Sequence, residues 1–598
     1  MLKKIFRLIV SGSLLLTGCS LDYEPMNGPS SGTFPASEEE AMAGLYAAYK
    51  GLSLMTVKET TFPMRINDCI TDIGTYRVDA GNQLKAMTST LTSDNSMVEK
   101  FYPYVYKVAG RVHLVLDNLE NLRGKIPEET LNQIKAELLC IRAFYYDLGC
   151  QFYGDIPFID HQLNLDDYSY PRMPREEVTA RLLSDLDDEL LDYLPLQWNP
   201  ATYGTTRIGR VAAYALKARI ALNWGLYEEA ARCAKKATTM AVGLYDLEPL
   251  DCTYYATHAD GEPSAANLFG YAGETSREWL WSIQHNQLIS GNYTAAAYYE
   301  APRIHGGCSW LGPSQALIDT FQCTDGKSIV ESPLYDWKNP WANRDPRLDL
   351  YCLRPNTRIW NVQYDTDIRV ERVMNYNTGA MIANSDAVGN KSEYAANGSK
   401  GPGGYLWRKY SDKAMYGMIN GASTLDDLNI GIIRFAEVLL VEAEANIEWE
   451  GGDLELAASN INRVRARVNM PPVTDHSRAG LRKALRYERK VELCNEGFRW
   501  FDIRRWKIAP KAVNGPMYAP GFSTTQKPDN YISNAKPTFD DDWLTYYDPS
   551  STWDGGEFNL RIFQNMVFND PKDYLWPMPY TEMISNPAIG LGNNNPGY

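Results

Sequence analysis

The stretch YVYKVAGRVHLVLDNLENLRGKIPEETLNQIKAELLCIRAFYYDLGCQFY, residues 104–153, decides the fold class. Its first part sets Val105, Val108, Val112, Val115, Leu119 and Leu122 at steps of three and four. Its second part does the same with Leu131, Ile134, Leu138, Ile141, Tyr145, Leu148 and Phe152. Each set lies on one face of a helix. Gly124 and Pro127 supply a stop and a restart, so two antiparallel helices are predicted. His113, inside the first, reads as structural.

The same design recurs on both sides. Ser37 and Glu40 form a capping box ahead of Met42, Leu45, Tyr46 and Tyr49. Val178, Leu182, Leu186, Leu190 and Tyr193 predict one helix between Pro174 and Pro195. Val211, Ala215, Ala218 and Leu222 turn at Gly225-Leu226-Tyr227 and return through Ala230, Cys233, Ala234 and Ala237, a turn that resembles the tetratricopeptide signature. Ala436, Leu440, Ala443 and Ile447 pass through Gly451-Gly452-Asp453 to Ala457, Ile461, Val464 and Val468. The predicted class is all-α, with tetratricopeptide-like helical pairs stacked into a scaffold; generic pairs without repeat geometry stay open, because the consensus is incomplete. Between 245 and 430 the periodicity fades into Gly-, Asn-, Tyr- and Trp-rich sequence with one strand over Glu278–Ile283. A second irregular region is expected over 509–581. Long irregular segments usually carry function.

The chain has 598 residues, 44% hydrophobic and 22% charged, and a net charge of −15 that argues against a nucleic-acid partner. Its 15 Trp, 39 Tyr and 17 Phe are weighted toward rings with a polar handle. Lys3, Lys4 and Arg7 precede an apolar run from Leu8 to Leu16, too short to be a retained span, and Leu16-Thr17-Gly18-Cys19 resembles a bacterial lipobox. Cys19 is the expected lipidation site, carrying a palmitate-type anchor, and loss of the three basic residues takes the mature charge to −18. The expected organisation is a signal peptide at 1–18, a tether at 19–36, a helical region at 37–244, an irregular ligand-binding region at 245–430 and a C-terminal region at 431–598. The nine later cysteines read mostly as buried filler, with one or two disulfides that sequence does not assign.

No catalytic constellation stands out. Gly28-Pro29-Ser30-Ser31-Gly32 lies in the tether with no preceding strand, and Gly326-Lys327-Ser328 lacks the first glycine of a phosphate loop. The six histidines are scattered without zinc spacing, so no metal or cofactor is expected. Asp185, Asp187, Asp188, Glu189 and Asp192 read as a solvated helix face. Arg486 to Trp506 alternates charges and rings, which points to internal ion pairs with arginines over Trp500 and Trp506.

Several segments carry a family likeness. Glu488 to Trp506, Ile433 to Asn446, Asn343-Arg344-Asp345-Pro346-Arg347-Leu348, Arg142 to Leu148 with Tyr153-Gly154-Asp155-Ile156-Pro157, and Leu575-Trp576-Pro577-Met578-Pro579 with the terminal Asn595-Pro596-Gly597-Tyr598 resemble, in order, motifs of the SusD/RagB family of nutrient-binding lipoproteins. The resemblance implies a tetratricopeptide scaffold with a loop-rich half, lipid-anchored at the outer membrane and facing the exterior. Asp22 and Glu24 resemble the acidic export signal of such proteins. It also implies non-catalytic oligosaccharide capture and delivery to a SusC-like TonB-dependent transporter; a peptide-binding RagB-like receptor is the alternative, and a surface glycosidase a further one. Sugars need aromatic planes and polar partners. The candidate ligand residues are therefore Tyr298, Tyr299 and Trp310 around Gly306-Gly307, Tyr76 and Arg77 in the loop before the Val105 helix, and Trp337. Trp279 and Trp281 read as packing.

Overall fold

The computed structural model describes residues 34–598 apart from 56–63, 78–80, 251–267, 386–388, 391–402, 421–425, 522–530 and 555–558, positions 290–293, 295–297 and 299, and single positions at 165, 356, 368, 416, 418, 420 and 534. The leader, Cys19, the tether and Tyr299 lie outside the described residues.

Helix α1 (Glu38–Leu52) opens at Ser37, whose Oγ accepts from the Glu40 amide at 3.2 Å, while the Glu40 carboxylate accepts from the Ala36 amide at 2.8 Å. The capping box thus closes one residue upstream of its usual place. Helices α2 (Ser96–Leu119) and α3 (Glu128–Tyr153) bury the predicted valine, leucine and isoleucine faces, and α1 packs on both. The helix predicted up to Tyr193 breaks. Helix α4 (Arg175–Asp185) ends, and Asp187 caps a separate turn by accepting from the Leu190 amide at 2.8 Å. Helices α5 (Arg210–Asn223) and α6 (Tyr227–Met240) follow. Far along the chain, α7 (Phe435–Glu448) packs on α6 and is joined by α8 (Leu454–Ala466), α9 (Arg478–Glu492) and α10 (Arg499–Arg505). One apolar core runs through all of these helices.

The acidic run is not a simple solvated face. Asp188 meets Lys217, Arg232 and Lys236 at 3.2, 2.6 and 2.5 Å, and Asp185 pairs with Arg142. Helices α5 and α6 place those cations opposite it. The 486–506 segment packs as expected: Arg504 lies 3.6 Å over the Trp500 ring, Arg486 5.1 Å over Trp506, and Arg489 holds Asp502 at 2.7 Å.

A second apolar core lies under the loop-rich half. Strand β1 (Gly74–Tyr76) pairs antiparallel with β3 (Leu311–Pro313), and β2 (Trp279–Ile283) with β4 (Ile430–Arg434). All five residues of β2 are buried, so Trp279 and Trp281 are packing residues. Segments 357–383 form a four-stranded antiparallel sheet. The 509–581 region, expected to be irregular, instead carries strands at 515–520, 531–533, 535–539, 545–552 and 559–566. One of the two longest, 545–552, is largely exposed and so lacks an apolar alternation. Eight described cysteines are free thiols and seven of them are buried; no disulfide forms among them, and Cys252 lies outside the described residues.

Candidate functional site

Tyr76 and Arg77, expected in a loop, sit at the end of β1. The β1–β3 ladder sets Tyr76 opposite Leu311 and brings the Tyr76 and Trp310 rings to 5.9 Å at 57°. The Arg77 amide donates to the Trp310 carbonyl at 3.0 Å, and Arg77 Nη1 donates to the Cys308 carbonyl at 3.4 Å. The Thr75 hydroxyl likewise donates to the Gly312 carbonyl at 3.1 Å, so residues 237 positions apart in sequence are fixed side by side.

The segment leading into Trp310 is tightly tied. The Cys308 amide donates to the Tyr298 carbonyl at 2.7 Å, and the Ser309 amide donates to the Ala301 carbonyl at 3.1 Å. Gly306 takes a left-handed φ of 86°, which favours glycine. A Cβ on Gly307 would lie 2.2 Å from the Ala301 oxygen, so the chain passes itself too closely for any side chain. Trp310 is half-buried on the second core, with Tyr271, Trp341 and Ile419 also at the core's edge. Tyr76 is only 4% exposed and backs Trp310 rather than facing outward.

Tyr298 therefore joins Tyr76, Arg77 and Trp310 through its backbone. Trp337 does not; it sits in the turns of 333–342, where the neighbouring Lys338 ammonium lies 5.3 Å from its ring. Two aromatic contacts beside this region had no sequence signal. His305, next to Gly306, lies 4.8 Å from the Trp360 ring and donates from Nε2 to the Ile359 carbonyl at 3.1 Å. Burial pushes its pKa down to about 4 despite that carbonyl, so it is neutral at neutral pH. Trp341 stands beside Tyr405 and under Arg354, at 6.1 and 5.1 Å. Both contacts join residues too distant in sequence for a local pattern to pair them.

Among the described residues, no group of three or more His, Cys, Asp or Glu side chains is placed to hold a metal ion, and no helix is long and apolar enough to cross a membrane.

Comparison with known proteins places this architecture. A model described as "Starch-binding associating with outer membrane" matches residues 48–222. SusD-like protein P2 of Formosa agariphila is 24% identical over 604 residues, covering 98% of each chain. The starch-binding protein SusD of Bacteroides thetaiotaomicron is 24% identical over 448 residues, covering 70% of this chain and 73% of its own. A SusD-like carbohydrate-binding protein of Bacteroides fragilis superimposes with a TM-score of 0.73 at 22% identity, over 93% of this chain and 100% of its own. A laminarin-binding SusD-like protein gives 0.61 at 19% identity, over 94% and 99%. The SusD family model itself matches residues 274–598, more than half of the sequence, and the chain belongs to the SusD family.

Proposed function

We propose that this protein is a non-catalytic surface receptor that captures neutral oligosaccharides on a platform centred on Trp310 and hands them to a SusC-like TonB-dependent transporter. The observation that carries this reading is the half-buried indole held by the β1–β3 ladder, with the Arg77 guanidinium donating to the Cys308 carbonyl two residues before it. A sugar presents C–H faces to such a plane and hydroxyls to such a donor. Tyr76 stiffens the indole from behind, and Tyr298 anchors the segment that carries it. Tyr299, proposed from the sequence alone, and Trp337, a weaker candidate that stands apart from this ladder, complete the proposed contact set. Relatives named for starch and laminarin binding support the ligand class.

In this reading residues 245–430 carry the ligand on a frame of tetratricopeptide-like pairs, and lipidated Cys19 holds the protein at the exterior face of the outer membrane. A mature charge of −18 favours neutral over polyanionic glycans. Calorimetry of the purified protein against a panel of neutral oligosaccharides and a peptide mixture tests the proposal. Glycan binding weakened by about 1–3 kcal/mol in Trp310→Ala is expected for a central aromatic anchor. Binding to peptides alone, or release of shorter products from labelled oligosaccharides, would overturn it.

A further inference from the structure

A cavity of about 400 Å³ opens between α2, α3, α4 and the segment around Phe158. It shares no lining residue with Tyr76, Arg77 or Trp310, and its volume falls within the range of small-ligand pockets. Arg142 is the most buried charged group in its wall, at 4% exposure. Arg142 Nη1 donates to His113 Nε2 at 3.0 Å, and His113 Nδ1 in turn donates to Asp117 at 2.7 Å. Burial lowers the His113 pKa, in keeping with a neutral ring that accepts from the arginine. Arg142 also pairs with Asp185, while its Nε has no partner among the described residues. The Phe158 ring lies 5.5 Å from the guanidinium of Arg142 and 5.5 Å from that of Arg181.

The rim continues this pattern: Arg181 faces Asp160 at 3.6 Å, and Lys135 faces Glu120 at 3.9 Å. Each cation in the wall therefore already faces a carboxylate, and the four carboxylates outnumber the three cations by one. A free anion would be repelled. The one carboxylate of the wall without a cation among the described residues, Asp117, already accepts from His113 and from the Gln162 amide at 2.7 and 2.6 Å, so an ammonium finds no bare charge there, and a zwitterion would have to separate a closed pair for its anionic end. A neutral hydroxyl both donates and accepts, so it can use the remaining lone pairs and N–H groups without separating any pair.

We infer that this cavity is a second sugar site, which takes a neutral mono- or disaccharide unit on the helical half of the molecule, independently of Trp310. It rests on the proposed function for the ligand class alone; its location rests on the cavity. The test is methyl-detected NMR of leucine-labelled full-length protein, because Leu116, Leu119 and Leu139 line the cavity. Maltose, cellobiose and laminaribiose are titrated singly, with glycylglycine as the zwitterionic comparison. Saturable shifts of those leucines are expected with at least one disaccharide, equally in wild type and Trp310→Ala. They should weaken by about tenfold or more in Ser184→Trp, which places an indole at an exposed position of the cavity wall. Silent leucines with all three sugars, a response to glycylglycine alone, indifference to Ser184→Trp, or loss of the shifts in Trp310→Ala would each overturn the inference. Cavity shifts in a protein whose overall glycan affinity ignores Trp310→Ala would instead overturn the Trp310 platform and leave the cavity site standing.

Discussion

Glu492 sits where three guanidinium groups converge. Its carboxylate meets Arg347 at 3.2 Å and Arg434 at 2.9 Å, and also pairs with Arg467, with all four side chains buried. Burial alone would raise its pKa, but Arg467, Arg434 and Arg347 hold it well below the ordinary 4.5. Because the folded value is depressed, this stabilisation is present above pH 4.5 and is lost as pH falls through the folded pKa. Glu492→Ala leaves buried cations short of a partner and should cost about 3–5 kcal/mol in denaturant unfolding; a loss within error of zero would contradict the assignment. Asp147 has the opposite sign. It accepts from Trp224 Nε1 at 2.8 Å and Gln151 Nε2 at 2.7 Å, yet burial raises it to about 6 from 3.8. Its stabilisation is full below pH 3.8 and is lost as pH rises to about 6. At about 1.4 kcal/mol per pH unit this amounts to about 3 kcal/mol. Asp147→Asn should therefore flatten the stability profile across that window, read from urea midpoints at stepped pH; an unchanged slope would count against a raised Asp147.

At the scale of elements, the β1–β3 ladder and the loop that feeds it set the direction of Trp310. Gly307 is the tightest point of that loop, because the atom facing its missing Cβ is a backbone oxygen that cannot rotate away. Gly307→Ala should shift the 301–310 segment and weaken glycan binding by about 1–2 kcal/mol, with little change in helical circular dichroism. Wild-type affinity in that variant would show that the loop does not position the site. The helices were legible in sequence because an apolar face repeats over many turns: the α2 and α3 faces, the Ser37 cap and the stacked arginines around Trp500 and Trp506 all follow from local spacing. The ladder was not legible. Three residues are too few for a period-2 pattern, and no local rule pairs Gly74–Tyr76 with Leu311–Pro313. For the same reason sequence could propose Tyr76, Arg77 and Trp310 one by one but could not state that Tyr76 would be covered or that Trp337 would stand apart. The break after Asp185 was hidden because Leu186 and Leu190 keep the helical spacing while Asp187 starts a new cap.

Across the whole molecule, several of the charged residues that carry the family likeness, Arg434, Glu492, Glu496 and Arg499 among them, lie on the seam between the helical and loop-rich halves. Arg434 at the end of β4 reaches Glu278, Glu492 and Glu496 at 2.7, 2.9 and 2.7 Å. The Asp68 carboxylate accepts from the amides of Glu496, Gly497 and Arg499 at 3.1, 2.9 and 3.0 Å. Arg499 then grips Asp72 through two bonds of 2.8 and 2.9 Å, with Lys490 on the same carboxylate at 3.1 Å. Burial would raise the Asp72 pKa, but Arg499 and Lys490 hold it at about 2, so this clasp stays ionised at neutral pH. Asp72 lies two residues before β1, so the C-terminal segment fixes the strand that carries Tyr76 and leads into Arg77. Arg499→Met should leave Asp72 with Lys490 alone and destabilise the seam by about 3–5 kcal/mol. The local consequence is the more telling measurement: amide exchange should quicken at residues 74–77 and 310–313 while α2 and α3 stay protected, and glycan affinity should fall with it. Equal exchange at 74–77 in variant and wild type would mean that the strand pair stands on its own second core, independent of the C-terminal clasp.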